Sequence, residues 1–159
     1  RRLLPGGLEI EAASPIAADE IEFLDYADTQ CMFARVKEAI RLCYSAGFRK
    51  HDVAIVSYHG REQSQLLTLD RLGQTSLRHF TGEYDLFGQP VYTPGDVLVE
   101  SVYRFKGQAA PAVILTEIDF DVLDDKAARK LFVGATRSAM KLVLILHQKS
   151  AARLLERLG

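Results

Sequence analysis

The sequence is poor in several things, and each shortage narrows what it encodes. Only two cysteines occur, Cys31 and Cys43, with no histidine at ligand spacing beside either. Neither a zinc site nor a secreted disulfide framework is indicated, so a reducing, cytoplasmic setting is expected. Charge of one sign is also lacking: 20 Lys and Arg stand against 21 Asp and Glu, a formal net charge of -1. The domain as a whole is therefore not a typical basic nucleic-acid binder, and any such contact must be local. No apolar run approaches the roughly 18 residues of a membrane span, and no basic-then-apolar leader is present, so a soluble protein without membrane contact is expected. With 11 Gly and 5 Pro the chain is neither collagen-like nor disordered. Methionine is confined to Met32 and Met140, and the chain opens on Arg1, as expected of a stretch from a longer gene product. What is present, 48% apolar and 26% charged residues in 159, suits a single domain spanning 1–159 with a sizeable core.

Residues 1–18 show no sustained periodicity and read as an irregular lead-in. A strand is predicted over 20–26. It is followed by a helix that Asp28 or Thr29 caps, with Phe33, Val36, Ile40 and Cys43 or Tyr44 at helical spacing and Gly47 at the C-cap. The almost wholly apolar run over 52–57 suits a strand buried on both faces, and it ends in the polar loop Tyr58-His59-Gly60-Arg61. A second helix is predicted over 62–72, carrying Leu66, Leu67 and Leu69 and stopping at Gly73. Residues 74–96, rich in turn formers, read as a short connecting insertion with two strand-like pieces. Strands over 97–103, 112–116 and 141–147 follow, with a helix over 124–140 and a last helix over 150–158. This alternation implies an α/β fold with a mainly parallel sheet and helices on both faces. In such sheets ligands bind beyond the carboxyl ends of the strands, which directs attention to the loops after Ser57, Phe105, Thr116 and His147.

Two segments could carry chemistry. Ser101-Val102-Tyr103-Arg104-Phe105-Lys106-Gly107-Gln108 delivers two cations, a hydroxyl, two aromatic rings and a glycine to one strand end. Arg104 and Lys106 offer charge to a phosphate, Gly107 allows close backbone approach or a positive φ, and the rings offer a stacking surface. By composition alone the reading favoured for the same segment is an ordinary strand end with solvated cations and a turn glycine. In the helix predicted over 124–140, Ala128, Leu131, Phe132 and Ala135 define a core face. On that wheel Arg137 points away from its own domain, with Lys126 and Lys130. It is either a solvated cation near a helix C-terminus or an arginine offered to another domain's ligand. Gly134, which costs about 1 kcal/mol relative to Ala within a helix, asks for a reason such as close packing or a local kink.

Taken in order, these segments resemble a known family. The stretch from Ser101 to Ala112 is similar to motif V, and Leu131-Phe132-Val133-Gly134-Ala135-Thr136-Arg137-Ser138 to motif VI, of superfamily 1 DNA helicases of the UvrD/Rep type. Val53-Ala54-Ile55-Val56 followed by Tyr58-His59-Gly60-Arg61-Glu62-Gln63-Ser64 resembles the strand-loop-helix that precedes motif V there. The resemblance implies the second, C-terminal RecA-like domain of a motor in which two such domains sandwich ATP while single-stranded DNA or RNA crosses both. It makes Arg137 the finger that reaches the γ-phosphate held by the N-terminal RecA-like domain of the same chain. It places Lys106, Gly107, Gln108 and Thr136 beside the nucleotide, and His59, Arg61, Ser101, Tyr103 and Arg104 along the nucleic acid. Relatives usually read K-G-x-E where this chain has Lys106-Gly107-Gln108-Ala109. Tyr103 stands for the usual motif V histidine and Phe132 for the motif VI tyrosine. No Walker A loop or Walker B acid pair occurs, so ATP and Mg2+ are expected to be held mainly by the N-terminal domain, and this stretch alone is expected to be inactive. The rival readings are a non-enzymatic interaction or regulatory module that keeps the fold, and a non-helicase ATPase built on the same pair of domains.

Other features carry less. Glu117, Asp119, Asp121, Asp124 and Asp125 lack the spacing of a calcium loop and read as a solvated loop with Asp124 as a helix N-cap; no metal ligands are expected. His51, His79 and His147 lack partners in sequence, and no nucleophile elbow surrounds Ser101. Phe80, Tyr84, Phe87 and Tyr92 suit a small satellite core more than a base-stacking surface.

Overall fold

Val53, Ala54, Ile55 and Val56 offer solvent nothing polar, and the segment folds where that is tolerated, as a strand buried along its whole length between two parallel neighbours. The computed structural model describes residues 3–4, 8–9 and 21–158, with side chains over 21–156. In chain order the elements are β1 (Leu3–Leu4), β2 (Leu8–Glu9), β3 (Ile21–Tyr26), α1 (Thr29–Ser45), a 3-10 turn (Lys50–Asp52), β4 (Val53–Ser57), β5 (Arg71–Leu72), β6 (Thr75–Arg78), β7 (Phe80–Tyr84), β8 (Pro90–Tyr92), β9 (Val97–Ser101), β10 (Ala110–Ile118), α2 (Asp125–Ala135), β11 (Ser138–His147) and α3 (Gln148–Leu158). The main sheet has the order β3-β11-β10-β4-β9-β6-β5. Every pairing in it is parallel except β5 with β6.

Two cores flank the sheet. On one face α1 buries Met32, Val36, Ala39, Ile40 and Cys43 against Ile55, Ile114 and Val143. On the other, Ala128 and Leu131 of α2 and Leu154 of α3 meet Val56, Val113, Leu115 and Leu144. The helix expected after Asp28 is there: the Asp28 carboxylate accepts from the Cys31 N–H at 2.8 Å, and Gly47 follows the helix at φ +98°. Burial pushes the Cys43 thiol up to about 11, so it behaves as a small apolar residue. The close packing that Gly134 asks for is with the core of the sheet, since a Cβ there would lie 2.8 Å from a Leu115 methyl. No helix of the described residues is long and apolar enough to cross a membrane.

Four expectations are corrected. Residues 62–72 form turns and the two-residue β5 rather than a helix. The Ser64 hydroxyl accepts from the N–H groups of Leu66 and Leu67, so local side-chain bonds take donors that a helix would use, while both leucines are buried all the same. The helix expected over 124–140 ends at Ala135, and Ser138 to Met140 belong to β11, because Ala110 and Ser138 pair where β10 and β11 begin. β9 stops at Ser101, leaving Tyr103 in a turn. Within 74–96 there are three strands, of which β6 joins the main sheet beside β9 and β7 pairs with β8 as a separate hairpin. The expected lead-in over 1–18 lies outside the described residues apart from β1 and β2.

Candidate functional site

A parallel sheet has two unlike ends, and the structure divides the sequence-predicted residues between them. His59, Ser101 and Tyr103 follow the carboxyl ends of β4 and β9. Lys106, Gly107, Gln108, Thr136 and Arg137 lie where β10 and β11 begin. The segment over 102–109 joins the two ends across the face that carries α2, with Val102 and Phe105 buried in that core. The strand pattern directs attention to the carboxyl ends alone, whereas the motif V and motif VI residues nearest the expected nucleotide sit at the amino ends.

At the carboxyl end the organising residue is Glu117. The pairing of β10 with β11 shifts between Leu115 and Ile118, and Glu117 takes φ +60°, the one positive φ among described residues other than glycine. The irregularity turns its side chain into the protein, where it is 4% exposed. One carboxylate oxygen accepts from the Ser57 hydroxyl at 2.8 Å and from the Ser64 hydroxyl, and the other accepts from the Gln65 N–H at 2.7 Å. Two residues on, Asp119 pairs with His59 Nε2. Burial pushes the Asp119 carboxyl up, but the His59 hydrogen bond and charge, helped by Lys149, hold it below the usual carboxylate range. The acidic run is thus corrected in its first two members: Glu117 and Asp119 fasten the loop after β4, while Asp124 caps α2 as expected, accepting from the Ala127 N–H at 2.8 Å. A cleft of about 300 Å³ opens here, bordered by Tyr26, Asp28, His59, Glu117, His147 and Lys149.

Beside it Tyr103 is 57% exposed, its ring 3.9 Å from where a Cβ on Gly60 would sit. The Lys130 ammonium lies 4.0 Å from the Tyr58 ring centroid and 5.0 Å from that of Tyr103. Lys130, grouped in the sequence with solvated cations, is a half-buried part of an aromatic and cationic surface. Burial raises the Tyr58 hydroxyl to about 12, so that ring stays neutral.

The remaining carboxyl-end residues are committed to structure. The Ser101 hydroxyl is buried and accepts from the Arg104 N–H at 3.1 Å. Arg61 donates to the Thr81 carbonyl at 3.0 Å. Arg104 lies 3.9 Å over the Phe80 ring and 3.5 Å from the buried Glu100 carboxylate. Arg61, Ser101 and Arg104 meet, but around the base of the β7–β8 hairpin rather than on an open face.

At the amino end Lys106, Gly107 and Gln108 are all exposed. Gly107 has φ +84° with nothing within 4 Å of where a Cβ would sit, so backbone there is open to a close approach. Thr136 caps α2, its hydroxyl donating to the Phe132 and Val133 carbonyls at 3.0 and 3.2 Å. Arg137 is not on the helix and does not project from its outer face. It occupies the turn between α2 and β11, half-buried, its N–H on the Gly134 carbonyl at 3.3 Å and its carbonyl accepting from the Ala110 N–H at 3.0 Å. Its Nε is buried without a hydrogen-bond partner. Arg137 is thus fixed by its backbone on two sides, and a buried Nε without a hydrogen-bond partner is a feature it shares with Arg104 at the other end of the sheet.

Sequence reasoning missed Glu117, Asp119, Tyr58 and Lys130. The one trace was the polar Thr116-Glu117 closing an apolar strand; the irregularity that turns Glu117 inward leaves no mark in the pattern. Among the described residues no group of three or more His, Cys, Asp or Glu is placed to hold a metal ion.

Comparison with known proteins agrees with the resemblance read from the motifs. Residues 96–145 match the family model of the UvrD-like helicase C-terminal domain. No curated protein matches the chain. Among solved structures the fold is shared with the C-terminal domain of a possible DNA helicase from Lactobacillus plantarum WCFS1, at 17% identity and a TM-score of 0.62, over 89% of this chain and 81% of that one.

Proposed function

We propose that this chain, whose residues 96–145 match the UvrD-like helicase C-terminal domain, is the C-terminal motor domain of an ATP-dependent superfamily 1 helicase or translocase. Its amino end completes a nucleotide site held mainly by an N-terminal RecA-like domain of the same polypeptide, and its carboxyl end lies along single-stranded DNA or RNA. The observation that carries the reading is Arg137: backbone-anchored between α2 and β11 inside the matched stretch, with its carbonyl bonded to the Ala110 N–H just beyond the exposed Lys106-Gly107-Gln108 turn. The exposed Lys106 and the open backbone at Gly107 fit the phosphate end of a nucleotide beside it. Bound ATP supplies a γ-phosphoryl group whose transfer to water drives the cycle, with Mg2+ offsetting its charge. The chain's own part is positional. Thr136 sets the end of α2, Arg137 neutralises charge on the γ-phosphate when the two domains close, and Lys106 and Gln108 border the nucleotide.

At the other end the residues differ in task. Tyr103 offers a ring for stacking, with Lys130 beside it as a cation, and His59 is presented by the loop that Glu117 and Asp119 hold. Ser101, Arg61 and Arg104 act through the turn and hairpin they fix. The test is ATP turnover by the full-length polypeptide, with and without single-stranded DNA, comparing wild type with Arg137→Ala at equal folded concentration. Loss of turnover by orders of magnitude with nucleotide binding intact supports the finger. Equal turnover makes Arg137 a structural cation, and absence of turnover in both favours the non-enzymatic module.

A further inference from the structure

The β7–β8 hairpin leaves the main sheet and pairs only with itself, yet it is built rigidly. Its base is gripped by the arginines described above and by the Tyr92 hydroxyl on the Glu100 carboxylate. Gly82, at φ +91°, makes room for the Arg61 guanidinium, which would stand 2.4 Å from a Cβ there. Of the expected satellite core, Phe80 and Tyr92 pack half-buried with ring centroids 5.9 Å apart, while Tyr84, 5.5 Å from Phe80, stays largely exposed.

Phe87 is not part of that core. At the tip the Asp85 carboxylate accepts from the N–H groups of Phe87 at 2.8 Å and Gln89 at 3.0 Å. The Asp85 N–H donates to the Gln89 carbonyl at 2.9 Å, and Gly88 closes the turn at φ +78°. This ordered turn holds Leu86 at 101% exposure and Phe87 at 88%. Two large apolar side chains fully in water on a turn that is already ordered gain nothing for this chain, whereas a pre-ordered apolar anchor lowers the entropic cost of binding another surface.

Charge selects the occupant. Between Phe80 and Tyr92 the only charged residues are Glu83 and Asp85, both toward the tip, whereas the cations that pack on the hairpin, Arg61, Arg78 and Arg104, lie toward its base. A phosphate backbone or an anionic lipid surface is repelled by that pair, while a protein surface with basic groups around an apolar recess is attracted. We propose that the hairpin tip is a docking knob that seats Leu86 and Phe87 in an apolar cleft of another protein surface rimmed by lysine or arginine. The proposal stands apart from the motor reading, since it needs neither Arg137 nor nucleic acid.

The test places the photo-crosslinking residue p-benzoylphenylalanine at position 87 of the full-length protein, and at exposed Arg129 of α2 as a control, and maps the crosslinked segment by mass spectrometry. That segment, made as a purified fragment, is then titrated with wild type, Phe87→Ser and Glu83→Lys. Both residues are exposed, so the fold is expected to survive and thermal melts check that it does. The expected result is a protein segment reached from position 87 and not from 129, with affinity falling at least about tenfold for Phe87→Ser and several-fold for Glu83→Lys. Crosslinks to nucleic acid, equal yield from both positions, or a fragment indifferent to the two substitutions would each overturn it.

Discussion

At the carboxyl end of the sheet, Glu117 and Asp119 gather Ser57, Ser64, Gln65 and His59 into one bonded network. At the amino end, Lys106, Gly107 and Gln108 stand exposed and Arg137 keeps a buried nitrogen without a partner. The carboxyl end is tied largely by side-chain bonds within the chain, although Arg104 Nε and Thr116 Oγ1 are also buried there without a hydrogen-bond partner, whereas Lys106, Gly107 and Gln108 at the amino end stand open to solvent. The difference teaches that the two ends of one parallel sheet can be held in different ways. One end is held in shape by side-chain bonds between distant strands and loops, while the other presents exposed groups and an arginine fixed through its backbone.

Breaking the amino end is expected to have the largest effect, and only on function. Arg137→Ala should lower turnover of the full-length polypeptide by about 10³-fold or more while leaving its melting temperature within a few degrees, read by steady-state kinetics and calorimetry. A large fall in stability instead would make the arginine a structural element. At the carboxyl end the expectation reverses. Glu117→Ala strands two buried hydroxyls and an N–H, and should cost about 3 kcal/mol in urea unfolding; a loss below about 1 kcal/mol would mean that the network does not hold the loop. Gly107→Ala, strained by φ +84° but free of clashes, should cost about 1 kcal/mol by the same measurement.

Acid sharpens the contrast more gently. Asp119 is held below its usual value, so its contribution is complete above about pH 4 and is lost as pH falls through the lowered value. Hydrogen exchange in the loop over 58–65 should rise first on acidification, ahead of the amino ends of β10 and β11; simultaneous loosening of both ends would contradict the division. Lys106→Ala should be the quietest, within about 0.5 kcal/mol of wild type in stability.

Much of the scaffold was legible because it depends on local pattern. The apolar run of β4, the Asp28 and Gly47 limits of α1 and the Asp124 cap of α2 each follow from a few neighbouring residues. So does the motif VI match, since it is a contiguous string. The site was legible as a set of residues but not as an arrangement. Leu66, Leu67 and Leu69 carried a helical spacing that lost to side-chain bonds from Ser64, itself held by a carboxylate 53 positions away. Arg137 was read on a helical wheel, and the helix stops before it because β10 claims the next residues.

By itself, then, the sequence determined the layered α/β scaffold, the two buried faces of its sheet and the kinship of its motifs, because apolar periodicity and capping act over a turn or two of chain. The tertiary structure decided which end of the sheet each motif residue occupies, that Glu117 faces inward, that Arg61 and Arg104 grip a hairpin, and that Arg137 is anchored in a turn. Each of these depends on strands far apart in sequence meeting in one register, and a hydrogen bond between them leaves no trace in the local pattern that precedes it.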